Sequence, residues 1–381
     1  MGEKKVHNGR IPIMLEGFQN PKKVFHHADR VLEIMETGDT RPVHLTIGFT
    51  NYCNHKCSWC YINWHQAGKL SERSGTANPR VKKAVNASSR LVEAVKEAKE
   101  MGLKSVTIVG DGEPTIHPKF VEMLSSLYEL NIDIGIFTNL STKSPDVLQS
   151  LVDKCFFIRG SIDAARPDAH EKMHGANDFN HVIDNIRKLI NLRGVRETPV
   201  IGVQYVVNHH NCDDLPFAAK FYRELGVNYL TIKPAYKNIL NPMHEENKLT
   251  SDYLLPLLRA AKTYETSSYR VFIKESQFYE TLDFVNNDAR YYKKCLATAL
   301  SPYLDEDGSV EMCGNLKGRG FTMGNIYDNS FSEIWASGQR RGCIDKIDLH
   351  KCPAGCRLDP LNKVLWDAIN PDDSSTHKNF L

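Results

Sequence analysis

The stretch TNYCNHKCSWCYINW, Thr50 to Trp64, sets three cysteines at the spacing C-x3-C-x2-C. Three thiols are an odd number for disulfides. Cys53, His55, Cys57 and Cys60 could form a closed zinc site, but structural zinc ligands usually come as two pairs separated by a longer loop. The spacing suits three corners of a 4Fe-4S cube whose fourth iron stays open to a ligand, with unrelated thiols as the remaining reading. A second segment able to do chemistry is VGDGEPTIHP, Val109 to Pro118, where Gly110 and Gly112 let backbone approach a ligand closely. Taken alone it also reads as a tight turn.

Both segments follow strand-like runs. VHLTIGF (Val43 to Phe49), SVTIV (Ser105 to Val109), DIGIF (Asp133 to Phe137), CFFIRGSI (Cys155 to Ile162), VIGVQYVV (Val200 to Val207) and YLTIK (Tyr229 to Lys233) read as strands. SSRLVEAVKEAKEMG, FVEMLSSLYEL and HVIDNIRKLINL read as amphipathic helices between them; in the first, Leu91, Val95, Ala98 and Met101 share a face and Gly102 is a C-cap. Six β-then-α units predict an α/β fold, a partial TIM-like (β/α)6 barrel over residues 43–235 with its chemistry at the C-terminal strand ends. Residues 1–42 are expected to be an N-terminal extension and 236–292 a helical connector around Leu254, Leu255, Leu257 and Leu258. The tail, 293–381, holds five of the ten cysteines, and its SPYLDEDGSVEMC reads as two short strands around a DG turn. So small a core predicts a metal or a cross-link.

A chain of 381 residues, 41% hydrophobic, has room for one large domain and an appendage. Its net charge of +2 is dispersed, which argues against nucleic acid as a partner. No run reaches the roughly 18 apolar residues of a membrane span. MGEKKVHNGR also lacks the apolar core of a secretory signal. A cytoplasmic protein without a membrane partner is therefore expected, its cysteines serving as thiols, ligands or redox groups.

The three-cysteine loop, with Trp59 just before its last cysteine, and the GDGEP segment after the second strand together resemble the radical S-adenosylmethionine (SAM) superfamily; Asp111 stands where many members have glycine. The resemblance implies a SAM-binding 4Fe-4S cluster on Cys53, Cys57 and Cys60. It also implies SAM contacts from Trp59, Gly110, Asp111, Gly112, Glu113, Asn139, Ser161, Asp163 and Gln204. Thr138, Asn139, Ser161 and Asp163 read equally well as turn and capping residues, and Lys233 as a snorkelling surface lysine. His209 and His210 look like a solvated loop. In the tail, Cys295, Cys313, MGNIYDNSFSEIWAS and HKCPAGCR resemble a SPASM or twitch extension. A full SPASM domain uses about seven cysteines for two clusters. With five here, the expectation is one auxiliary 4Fe-4S cluster on Cys295, Cys313, Cys352 and Cys356, leaving Cys343 spare. Cys155 and Cys212 are read as a core residue and a free thiol.

The activity so implied is reductive cleavage of SAM to a 5'-deoxyadenosyl radical that abstracts hydrogen, with electrons from an external donor such as flavodoxin or ferredoxin. No residue stands out as the catalytic acid or base. With no winged-helix peptide module before the barrel and no RNA-binding appendage, the substrate expected is a small polar metabolite: a sugar, aminocyclitol or nucleotide. The reaction expected is a net oxidation or rearrangement. The alternatives are a maturase acting on a peptide or protein and a non-enzymatic zinc or iron-sulfur protein.

Overall fold

The computed structural model describes residues 19–60, 79–235, 249–282, 290–317, 319–352 and 355–370; most of the N-terminal extension and parts of the expected connector lie outside them. Six parallel strands form where alternating or continuous apolar runs predict them: β1 His44–Gly48, β2 Ser105–Val109, β3 Asp133–Thr138, β4 Phe157–Ser161, β5 Val200–Val207 and β6 Tyr229–Pro234. The helices Pro79–Glu100, Phe120–Glu129, Pro145–Lys154, Phe179–Arg193 and Leu215–Leu225 alternate with them. Leu91, Val95 and Ala98 are buried, and Gly102 adopts the left-handed conformation (φ 106°) that stops the first of these helices. β5 is buried along its whole length, as a strand covered on both faces must be.

Two features differ from the sequence reading. Arg270–Ile273, within the segment read as helical connector, is a seventh parallel strand, β7, paired with β6. RVFI is too short to announce itself; neighbouring β6 supplies the hydrogen-bond partners that make it a strand. The helix around the four leucines does form, Ser251–Lys262. The tail is also joined more closely to the barrel than an appendage would be. Its hairpin strands, β8 Tyr303–Leu304 and β9 Ser309–Glu311, turn at the DG pair as expected. β8 also pairs in parallel with β1, and β10 Thr322–Asn325 extends β9, giving one ten-stranded sheet, β10-β9-β8-β1-β2-β3-β4-β5-β6-β7. The tail's Val310, Met323, Phe331 and Trp335 pack into the same apolar core as the barrel. None of the described helices is long and apolar enough to cross a membrane.

Candidate active site

The cysteine loop leaves the C-terminal end of β1 and is pinned from three sides. Gly112 N–H donates to Thr50 O (2.9 Å) and Glu113 N–H to Tyr52 O (2.8 Å). Lys56 N–H and Ser58 N–H donate to His174 O and Met173 O, at the end of the helix Pro167–His174. Asn139 Nδ2 donates to Asn54 Oδ1, and Asn54 Nδ2 to Ser141 Oγ. Two glycines make the close approaches possible. A Cβ at Gly112 would lie 2.0 Å from Tyr52 O, and Gly175, left-handed at φ 59°, would carry one 2.9 Å from Lys56 O. Gly112 is thus small because it lies against the cysteine loop's own backbone, a constraint the sequence reading attributed to an approach to SAM. Gly110 lies against Gly48 and Thr50 less tightly, where a Cβ would be 3.3 Å from Gly48 Cα and Thr50 O.

Glu113 is buried beneath this seam. Its carboxylate accepts from Thr115 N and Oγ1, Thr138 Oγ1 and Asn139 N, tying the β2 loop to the end of β3. Burial pushes its pKa up, and these four donors oppose the shift. Asn139 Oδ1 accepts from Ser141, so its side chain is engaged in holding the loops. Ser161, the last residue of β4, pairs in register with Gln204 within β5. Asp163, wholly buried with φ 55°, accepts from Val206 N and lies 3.1 Å from His174 Nε2.

Cys53, Cys57 and Cys60 are partly buried and unbridged. Burial, then the charges of Cys60 and Cys53, push the Cys57 thiol well above its usual range. Thiols packed this way favour a cation, which would lower all three. Behind them stands a group the sequence reading missed. His174 Nδ1 is 3.2 Å from Cys57 Sγ and 3.3 Å from His55 Nδ1, while His55 Nε2 and His170 Nε2 meet the two oxygens of Asp178. Burial opposes the shift, but the bonds from His170 and His55 hold the Asp178 carboxyl well below its ordinary value. The helical spacing H-x3-H at His170 and His174 was the available signal. His55, which a zinc site would pair with the three thiols, turns to His174 and Asp178. Among the described residues the donor sets that gather within 4.8 Å there are His55, Cys57 and His174, and His55, His170 and Asp178. Asn51 Oδ1 and Trp59 Nε1 are buried at the same mouth without a protein partner, two polar atoms a ligand can satisfy.

Asp111, a SAM contact by the resemblance, has a charged neighbour in the tail. It is buried and ion-paired with Lys317 of the tail, which also pairs with Asp305 and lies 3.9 Å from Glu306. Asp305 sits beside Gly48, so this lock fastens the tail hairpin to the ends of β1 and β2. Burial opposes the shift, but the three carboxylates raise the Lys317 pKa further; burial and Asp305 raise that of Glu306 well above normal.

In the tail, Cys295, Cys313, Cys352 and Cys356 converge. After burial, the neighbouring thiols Cys295 and Cys356 push Cys313 to about 12, and Cys356 and Cys295 push Cys352 to about 11. Asn362 Nδ2 donates to Cys295 Sγ (3.3 Å) and Asn315 Nδ2 to Cys356 Sγ (3.9 Å). Cys343 lies apart on the helix Gly338–Asp345, donating to Thr322 O. Cys155 is buried in the core and Cys212 lies beside Asp213. His209 and His210 lie against each other after β5.

Residues 47–222 match the model of the radical SAM superfamily, and 295–357 match the SPASM iron-sulfur cluster-binding domain. The chain is 23% identical over 325 residues to the cofactor-modifying protein of tungsten-containing aldehyde ferredoxin oxidoreductase from Pyrococcus furiosus, covering 77% of this chain and 81% of that protein. It is 24% identical over 317 residues to the mycofactocin maturase of Mycobacterium ulcerans, covering 80% and 78%. SuiB of Streptococcus suis, solved with its precursor peptide SuiA, has the same fold: TM-score 0.64 at 16% identity, over 91% of this chain and 75% of that one.

Proposed function

Because the chain belongs to the radical SAM superfamily and carries a SPASM iron-sulfur domain, we propose that it is a maturase that modifies a peptide or protein. It is an enzyme, and its cofactors are a SAM-binding 4Fe-4S cluster, SAM and an auxiliary 4Fe-4S cluster. The observation that carries the maturase reading is the likeness to mycofactocin maturase, which spans four-fifths of this chain. It replaces the small polar metabolite expected from the sequence alone.

Cys53, Cys57 and Cys60 would hold the SAM-binding cluster and Cys295, Cys313, Cys352 and Cys356 the auxiliary one. The unbridged thiols support this, with Cys57 raised by Cys60 and Cys53, and Cys313 and Cys352 raised by their neighbouring thiols. When bound, the cluster and SAM supply a 5'-deoxyadenosyl radical able to take hydrogen from an unactivated carbon. The chain's own residues prepare that chemistry. The three-sided pinning fixes the cysteine loop, Asn51 and Trp59 offer polar atoms at its mouth, and Ser161, Gln204 and the β2 loop through Asp111 rim the strand ends where SAM is expected. The Lys317 lock holds the tail, and with it the second thiol set, against that rim. The partner this chemistry needs is a one-electron donor of flavodoxin or ferredoxin type.

The test is to incubate anaerobically reconstituted enzyme, SAM and reductant with candidate precursor peptides and, separately, with small-metabolite pools. A mass change in a peptide that requires SAM is expected. SAM cleavage coupled to a metabolite, with every peptide unaltered, would overturn the reading.

A further inference from the structure

Behind the cysteine loop lies a group of polar side chains that the pinning of the loop does not require. His55, His170, His174 and Asp163 are all buried, and Asp178 joins them from the start of the helix Phe179–Arg193. The backbone bonds from Lys56 and Ser58 already fasten the loop to the carbonyls of His174 and Met173, and such bonds do not depend on the side chains at 173 and 174. Burying imidazoles and carboxylates where apolar side chains would pack costs free energy that the shape of the loop does not explain.

The ring of His174 is held in one orientation. It stacks on His170, with ring centres 4.6 Å apart and planes 19° apart, while His55 and Trp59 meet it edge-on at 5.3 and 6.3 Å. Its Nε2 lies 3.1 Å from Asp163 Oδ2. Asp163 is itself fixed, its Oδ1 accepting from Val206 N (2.6 Å) and its carbonyl from Asn211 Nδ2 (2.8 Å). Through Asp163 and His174, β5 thus reaches the cysteine loop. The other ring nitrogen, Nδ1, lies 3.2 Å from the Cys57 sulfur.

The neighbours of that nitrogen decide where its hydrogen sits. Burial opposes ionisation of Asp178, but the bonds from His170 and His55 keep its carboxyl ionised, so it offers acceptors alone. His55 Nε2 (3.0 Å) and His170 Nε2 (2.9 Å) therefore donate to it. An imidazole with its hydrogen on Nε2 keeps a lone pair on Nδ1, and in His55 that lone pair faces His174 Nδ1 at 3.3 Å. Cys57 as a metal ligand is a thiolate, a second acceptor. Two acceptors meet at His174 Nδ1, so that nitrogen carries the hydrogen. An N–H aimed at a cluster thiolate draws charge from the sulfur, favours the reduced cluster over the oxidised one and raises its reduction potential.

We propose that His174 is a positioning residue that acts through Cys57: its Nδ1 donates to the sulfur and sets the potential at which the SAM-binding cluster takes one electron from its flavodoxin- or ferredoxin-type donor. The donor is oxidised by one electron, the cluster is reduced by one, and the hydrogen stays on His174. The inference rests on assigning Cys53, Cys57 and Cys60 to that cluster and is independent of the substrate. Anaerobically reconstituted holoprotein is titrated with reductant, and the midpoint potential is read from the EPR signal of the reduced cluster that responds to SAM. His174→Phe keeps a ring for the stack and removes the N–H; His174→Asn returns an N–H to the place of Nδ1. Iron content should match the parent in both. In His174→Phe the reduction equilibrium should fall about tenfold, a lowering of about 59 mV for one electron, and His174→Asn should recover most of it. Parent iron with the parent potential in His174→Phe, or equal lowering in the two variants, overturns the inference. If His174→Phe loses its iron, parent protein labelled with nitrogen-15 histidine carries the test. Pulsed EPR of the SAM-responsive signal should then show a nitrogen-15 coupling that disappears in His174→Asn, and its absence from the parent overturns the inference. A SAM-responsive signal that survives alanine at Cys53, Cys57 and Cys60 overturns the cluster assignment and this inference with it. Loss of the signal there, with an unmoved potential in His174→Phe, overturns this inference alone.

Discussion

The two sets of thiols are held in different ways. Around Cys53, Cys57 and Cys60, backbone bonds from the β2 loop and from the helix Pro167–His174 fix the chain, and Asn54, Asn139 and Ser141 close the third side. Around Cys295, Cys313, Cys352 and Cys356 the side chains of Asn362 and Asn315 donate to sulfur alongside short-range bonds from Thr298, Asn315 and Leu358, and the surrounding tail leans on the barrel through β8, the shared core and Lys317. The first set is thus shaped by bonds from the barrel itself. The second is placed by docking, so the tail's stability depends more on the barrel than on its own size.

The largest effect is expected where the first set is tightest. Replacing Gly112 by valine puts a branched side chain where a Cβ alone lies 2.0 Å from the Tyr52 carbonyl. Iron at the cysteine loop and SAM binding should both be lost, measured by iron content and SAM titration. SAM binding lost with iron retained would show that the loop does not depend on this seam.

Next in size is Lys317→Met, which leaves Asp111, Asp305 and Glu306 buried without their cation. Breaking one side of a buried ion pair costs about 3–5 kcal/mol, to be read from chemical unfolding. The sign with pH follows from Glu306, whose folded pKa lies above its unfolded one. Such a group stabilises most below its unfolded pKa and loses that contribution as pH rises through the folded value. The variant should therefore regain stability between pH 7 and pH 5. A loss as large at pH 5 as at pH 7 would rule out the charge explanation.

A smaller change in stability is expected in the tail. Cys352→Ser should remove about four irons yet lower the melting temperature by only a few degrees, because β8 and Phe331, Ile334 and Trp335 remain docked. Collapse of the tail, seen as protease cleavage after residue 290, would instead mean that metal carries its fold. The smallest effect belongs to Cys343→Ser: iron unchanged, and stability lower by about 1 kcal/mol from polar burial.

Much of this fold is legible in the sequence because strand runs and helix periods are local. Ser105–Val109 and Val200–Val207 end where their apolar runs end. β7 and β10 were not legible, since RVFI and TMGN become strands only beside partners already in place. The cysteine spacing was readable for the same local reason. The bonds that position it were not. His55 to Asp178 spans 123 residues and Lys317 to Asp111 spans 206, and neither leaves a pattern along the chain. Asp111 shows the same limit: nothing in GDGEP announces its ion pair with a lysine from the tail.

The most direct measurement concerns the independence of the two thiol sets. Protein with Cys53, Cys57 and Cys60 all changed to alanine is reconstituted without oxygen, its iron counted, and 5'-deoxyadenosine measured after adding SAM and dithionite. About four irons per chain and no 5'-deoxyadenosine are predicted. Nucleoside formed at the parent rate, or a chain with no iron at all, would contradict the assignment of two separate clusters to these two sets of cysteines.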